Sequence, residues 1–252
     1  TGRPGVTVEI SQAQFLTYLQ GISGAITGVG NICLLYERNN FIFGMIGAVG
    51  GAYGGKDIPF IYNLTTASLN NWSVVPAAVD CPTSINGLAV NGELPTCAVV
   101  GSFVYITHPN FPATKFGYIT AYTGAATATF AVLTTATTAL TARPTCVGSY
   151  MDRAWLGVGT TVQFTDTLSN PPNIASASQA ITANEGDTII ALHPLSLKQT
   201  QSGILQGLLS FGSSGTIYQI TGNYGGSPTL ASNSLFKNQV SDAVSMIATN
   251  TI

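Results

Sequence analysis

The sequence predicts a mainly β fold. It is expected to be built from antiparallel meanders, arranged as β-propeller-like blades, with one or two short helices. Three observations carry this. Cys146–Asp166 holds three short apolar runs, separated by turns at Asp152-Arg153 and Gly159-Thr160. Its Val, Tyr, Trp, Phe and Thr suit a pleated, half-buried surface. Candidate hairpin tips recur at Asn39, Gly101, Asp152 and Ser213, about 50–60 residues apart and near the roughly 40–50 residue span of a four-stranded blade. Finally, hydrophobic residues make up 45% of the 252-residue chain while charged residues make up 7%. That balance disfavours disorder and supplies a large core.

The low charge also bears on function. An ordinary soluble domain carries roughly 25% charged residues. Here the polar surface must be made of Thr, Ser, Asn, Gln and Gly, which leaves little charge repulsion between copies. An assembly subunit is the expectation. Net charge is −2 and no basic run exists, which argues against a nucleic-acid-binding face. No apolar run approaches the roughly 18 residues of a membrane helix, so no membrane partner is expected. Cys33, Cys81, Cys97 and Cys146 form no C-x-x-C, and neither His108 nor His193 lies near them at ligand spacing. No metal or cofactor is expected. Four free thiols are expected, with a Cys81–Cys97 bridge as the alternative.

Taken in order, the chain divides into 1–30, 31–225 and 226–252. Val6–Ile10 alternates like a strand. Ser11–Gln20 is a helix candidate with a Ser11/Gln14 capping box, an apolar face at Phe15, Leu16 and Leu19, and Gly21 as the stop. Gly21–Gly30 reads as a loop. Ile32–Tyr36 and Phe41–Ile46 form a hairpin, and Gly47–Gly55 reads as a long turn that lacks the Lys-Ser/Thr of a phosphate loop. Phe60–Leu64 is expected to pair with Trp72–Val75, and Pro76–Pro95 is an irregular connection. Ala98–Val100, Phe103–Thr107, Lys115–Ala121 and Thr127–Leu133 are strands, followed by a Thr/Ala tract over Thr134–Thr141. After the central meander come the loop Ser169–Ala183, a turn at Glu185-Gly186-Asp187, and a strand Thr188–Leu192 ended by His193-Pro194. Ile204–Phe211 and Thr216–Thr221 complete the second domain. In Ser234–Thr249, Phe236, Val240, Val244 and Ile247 follow helical spacing, which predicts a helix.

Catalytic chemistry is sparse. Glu185 and Asp187 are the one carboxylate pair with glycosidase-like proximity, but Asn-Glu-Gly-Asp is also an ordinary turn. Asp166 reads as a strand-end turn former. His108 and His193 each precede a proline, and no G-x-S-x-G accompanies them. Trp72, Trp155 and Tyr218 are possible sugar-stacking groups, but inside β runs they read better as core. Arg153 opens a strand directly after Asp152 and reads as structural. No catalytic residue is assigned.

Several stretches together resemble tail nozzle proteins of short-tailed bacteriophages. They are Val104–Pro112 followed by Lys115-Phe116-Gly117; Arg153-Ala154-Trp155-Leu156-Gly157 leading to Val162–Asp166; Thr188–Leu195; and Leu208–Thr221. The resemblance covers roughly residues 100–225, with weaker likeness in the Asn31–Val75 hairpins. It rests on strand patterns rather than catalytic signatures. It implies a non-enzymatic virion tail protein in a homo-oligomeric ring, usually six-fold, around the DNA exit channel. Neighbouring tail or adaptor proteins would be its partners, and genomic DNA would pass without specific binding. Arg153, Trp155 and Asp166 would then be structural. Such chains are usually longer, with further blades, so this one is read as part of a longer chain or a shortened relative. Two other readings fit the composition: a secreted carbohydrate-binding or glycoside-hydrolysing propeller, and a capsid or decoration protein with a β-sandwich.

Overall fold

A computed structural model describes residues 10–69, 75–111, 115–120, 128–134, 140–165, 174, 181–182, 186–198, 204–223 and 234–241. These residues form one helix, α1 (Gln12–Ile22), and four four-stranded antiparallel sheets. Each sheet is a meander in chain order. The first holds β1 (Gly28–Arg38), β2 (Phe41–Val49), β3 (Lys56–Asn63) and β4 (Ser68–Leu69). The second holds β5 (Thr96–Val100), β6 (Phe103–Thr107), β7 (Lys115–Thr120) and β8 (Thr129–Thr134). The third holds β9 (Cys146–Tyr150), β10 (Arg153–Val158), β11 (Thr161–Phe164) and β12 (Ile181–Thr182). The fourth holds β13 (Ile189–Lys198), β14 (Ile204–Gly212), β15 (Ile217–Asn223) and β16 (Ser234–Ser241). No sheet closes on itself.

Side-chain alternation stacks these sheets face to face. In the first sheet, Phe43, Met45 and Ile61 point one way and join Cys97, Val104, Ile106 and Ile119 of the second. The opposite face of the second sheet, with Ala98, Val100, Phe103 and Tyr105, meets Val147, Ala154, Leu156 and Val158 of the third. The third sheet then turns Trp155, Val162 and Phe164 towards Ile189, Leu208 and Ile220 of the fourth. Strands buried on both faces need apolar residues at consecutive positions, which is why β6 and β10 are buried at every residue. The free face of the first sheet, with Ile46, Ile58 and Phe60, is covered by Phe15 and Leu19 of α1. The first strands β1, β5, β9 and β13 all line one cleft of about 430 Å³.

The helix forms where the capping box places it. Gln14 N–H donates to Ser11 Oγ at 3.2 Å, and Ser11 N–H donates to Gln14 Oε1 at 2.7 Å. The hairpin tips at Asn39-Asn40 and Met151-Asp152 put two successive residues at positive φ, as two-residue primed turns require. All four cysteines are free.

Several expectations are corrected. The Ser234–Thr249 helix is replaced over Ser234–Ser241 by β16, which pairs with β15 and belongs to the fourth sheet. The open edge of β15 offers a ladder of backbone partners, and that tertiary context overrides a helical spacing of four apolar residues. Residues 242–249 lie outside the described residues. β13 does not stop at His193-Pro194. It runs on to Lys198 as the edge strand of its sheet, where a proline's missing N–H is tolerated. β3 pairs with Ser68–Leu69, inside the expected Thr65–Asn71 loop, and residues 72–74 of the expected partner strand lie outside the described residues. Gly28–Gly30 and Gly47–Val49 are strand, not loop, and Ile181–Thr182 pairs with β11 inside the expected Ser169–Ala183 loop. The Val6–Ile10 strand, apart from Ile10, lies outside the described residues, as do most of the Thr134–Thr141 tract and Asp166.

Candidate functional site

Among the described residues, one group of His, Cys and Asp side chains that lie close together joins the first and second sheets. Cys33 comes from β1, Asp57 from β3, and His108 from the turn that leaves β6. Asp57 is fully buried and His108 nearly so. Asp57 Oδ2 accepts from His108 Nε2 at 3.0 Å, from the Ile85 N–H at 3.0 Å and from the Cys33 thiol at 3.3 Å. Its other oxygen, Oδ1, is buried without a hydrogen-bond partner. On the far side of the imidazole, Asn110 N–H donates to Nδ1 at 3.1 Å, which places the neutral ring's proton on Nε2. Burial alone would raise the Asp57 pKa. The hydrogen bond from His108, then the nearby Ser84 hydroxyl and the Ile85 N–H, together outweigh it and hold the carboxyl below its ordinary range.

The three residue types invite two chemical readings, and the geometry argues against both. A cysteine nucleophile needs an adjacent base that takes its proton. Here the thiol donates to the carboxylate, so Asp57 rather than His108 sits in the middle. Burial, and then the Asp57 charge, push the Cys33 pKa up, away from the reactive thiolate. A metal would find three donor atoms within 4.8 Å of one another. Binding at Nε2 requires that lone pair and leaves Nδ1 protonated, facing the Asn110 N–H. Ligating histidines instead direct their second N–H at an acceptor. The donor set fits a polar clasp better than a cation. The clasp also ties down the connection after β4: Asp57 N–H donates to Pro82 O at 2.9 Å, and Asn110 Nδ2 donates to Thr83 O at 2.9 Å.

Of the residues singled out from sequence, Arg153 is buried at the start of β10, and its Nη1 donates to Thr165 O at 2.8 Å. Trp155 is fully buried, its indole donating to Tyr150 O at 2.7 Å and its ring lying 4.9 Å from that of Phe164. Asp187 organises a loop. It accepts from Ser213 Oγ, from Ser214 N–H and Oγ, and from Thr216 Oγ1, which fixes the β14–β15 turn. These bonds outweigh burial and hold its pKa down at about 2. Glu185, its suggested partner, and Trp72 lie outside the described residues. His193 is exposed and lines the central cleft, while His108 is in the clasp, so the two histidines are not brought together. Cys81 and Cys146 are pushed up to about 12 by burial.

Sequence reasoning missed Asp57. The signal was a lone carboxylate inside an apolar run, Lys56–Tyr62, where a strand buried on both faces has to provide it with partners. No protein-family model matches the chain, and no curated protein matches it significantly.

Proposed function

We propose that the chain is a non-enzymatic structural subunit of a virion tail, assembling into a ring around the DNA exit channel. The observation that carries this reading is the architecture. Four consecutive blade-like meanders stack face to face, with their first strands around one cleft, in a chain with 7% charged residues. The nozzle resemblance over residues 100–225 supports the specific assignment. The β-propeller interpretation belongs to the same proposal: the four sheets are successive blades of a fan whose first blade is capped by α1. The reactive side chains of the clasp and of the Asp187 turn are engaged in holding sheets and loops together. The carbohydrate-binding alternative called for an exposed Trp72 or Trp155 lining a groove; Trp155 is fully buried, and Trp72 lies outside the described residues.

Sedimentation velocity combined with electron microscopy of the purified chain tests the proposal. Ring-shaped oligomers are expected. A monomer that persists at concentrations on the order of 100 µM, where mass action favours association, would overturn it.

A further inference from the structure

The tips of three hairpins, one from each of the first three sheets, converge on a pocket of about 300 Å³. Arg38 and Asn39 come from the β1–β2 tip, Gly101 from the β5–β6 tip, and Ser149, Tyr150 and Asp152 from the β9–β10 tip. Arg38 and Asp152 are both exposed, and neither side chain has an ion-pair or hydrogen-bond partner among the described residues. They line the same pocket yet stand too far apart to pair with each other within 4.0 Å.

The gap is also held in shape. Met151 and Asp152 have φ of 51° and 55°, a left-handed conformation that costs a non-glycine residue roughly 1–2 kcal/mol. Packing of Met151 against the cluster of Tyr150 and Trp155 maintains it. The Asp152 carboxylate is therefore carried on a fixed turn beside the Arg38 hairpin.

We infer that this pocket binds a small carboxylate ligand whose other end donates hydrogen bonds, a hydroxy- or amino-carboxylate of about hexose size or less. Arg38 takes the carboxylate, through the planar fork that suits it. Asp152 accepts from hydroxyl or ammonium groups, and Ser149 adds a hydroxyl that can serve either way. The inference does not rest on the assembly proposal, because binding is read on the protein in whatever oligomeric state it holds.

Calorimetric titration tests it, with D-glucuronate, L-alanine, acetate and D-glucose as probes. Either glucuronate or alanine should bind with a Kd below the order of 10 mM, and which one does so identifies the source. Acetate and glucose, each lacking one half of the recognition, should bind at least about tenfold more weakly. Arg38→Gln and Asp152→Asn should each weaken the binding about tenfold. Both residues are exposed and asparagine accepts a positive φ, so melting temperatures should stay unchanged. Failure of both two-ended probes to bind, glucose binding as tightly as glucuronate, or binding that survives either substitution would overturn the inference.

Discussion

Two aspartates, set between and beside the apolar layers, each gather several polar groups. Asp57 gathers Cys33, Ile85 and His108 onto one buried oxygen, and Asp187 gathers three hydroxyls and an N–H onto one turn. Replacing Asp57 by Ala leaves buried donors without an acceptor, at about 1–3 kcal/mol for each. We expect a loss of about 3 kcal/mol or more, read from urea denaturation, with His108→Ala closer to the loss of one such bond. Asp187→Asn should cost less, about 1–2 kcal/mol, because Ser213 and Ser214 are exposed and water can replace part of the network. Both carboxyls have folded pKa values below the ordinary aspartate value of about 3.9. Their stabilisation is thus complete above that value and is lost as pH falls through the folded one, for Asp187 about 2. Wild type should lose stability between about pH 4 and 2, and the Asp187→Asn variant should lose less over that window. An identical acid slope in the two proteins would contradict the assignment. Neither network could be read from sequence, because the two join residues 24 to 51 positions apart and no spacing rule connects them.

At the scale of elements, much of the fold was legible, and for physical reasons. The Ser11/Gln14 box marked α1 and the polar tip at Asn39-Asn40 marked the first hairpin, while the turn read at Asp152-Arg153 falls one residue earlier, at Met151-Asp152, with Arg153 already in the strand. The failures share one cause. β13 continues through His193-Pro194 because its position at a sheet edge tolerates proline. β16 forms where a helix was expected because β15 offers an edge, and neither circumstance is local to those residues. Close packing between strands adds a further test. A Cβ at Gly44 would lie 2.3 Å from Phe60 Cζ and 2.6 Å from the Leu34 carbonyl oxygen, and that backbone atom cannot step aside. Gly44→Ala should destabilise by about 1–3 kcal/mol, the range for overpacking. Arg153→Ala removes the bond to Thr165 O and leaves an unfilled space inside the third sheet. It should lower the melting temperature without removing an activity, and unchanged melting would count against a structural role.

The whole molecule is an open stack, and that shapes how it would meet its neighbours. Three of the long connections, Gly21–Gly30, Gly47–Gly55 and Pro76–Pro95, are tied down by hydrogen bonds within the chain. Thr27 N–H donates to Val49 O at 2.8 Å, Ser84 N–H to Gly55 O at 2.8 Å, and Tyr53 OH to Pro76 O at 2.7 Å. Bound to the first sheet in this way, they form a fixed surface rather than flexible arms, and Val49, Val79 and Leu88 on that surface are exposed. The chain as a whole is poor in charge, with 7% charged residues, and Glu93 is already paired with Arg143 at 2.8 Å. Contacts made with such a surface would combine apolar anchors with backbone and hydroxyl hydrogen bonds, leaving ion pairs a minor part. Exposed charge pairs weaken as the Debye length shrinks from roughly 8 Å at physiological salt to 3 Å at 1 M, whereas apolar burial does not. Oligomers of this chain should therefore keep their sedimentation coefficient as sodium chloride is raised towards about 1 M. Leu88→Asp and Val79→Asp, at side chains 71% and 78% exposed, should leave the monomer folded while weakening association. Dissociation on adding salt, with association unaffected by both substitutions, would show that charge rather than this apolar surface drives assembly.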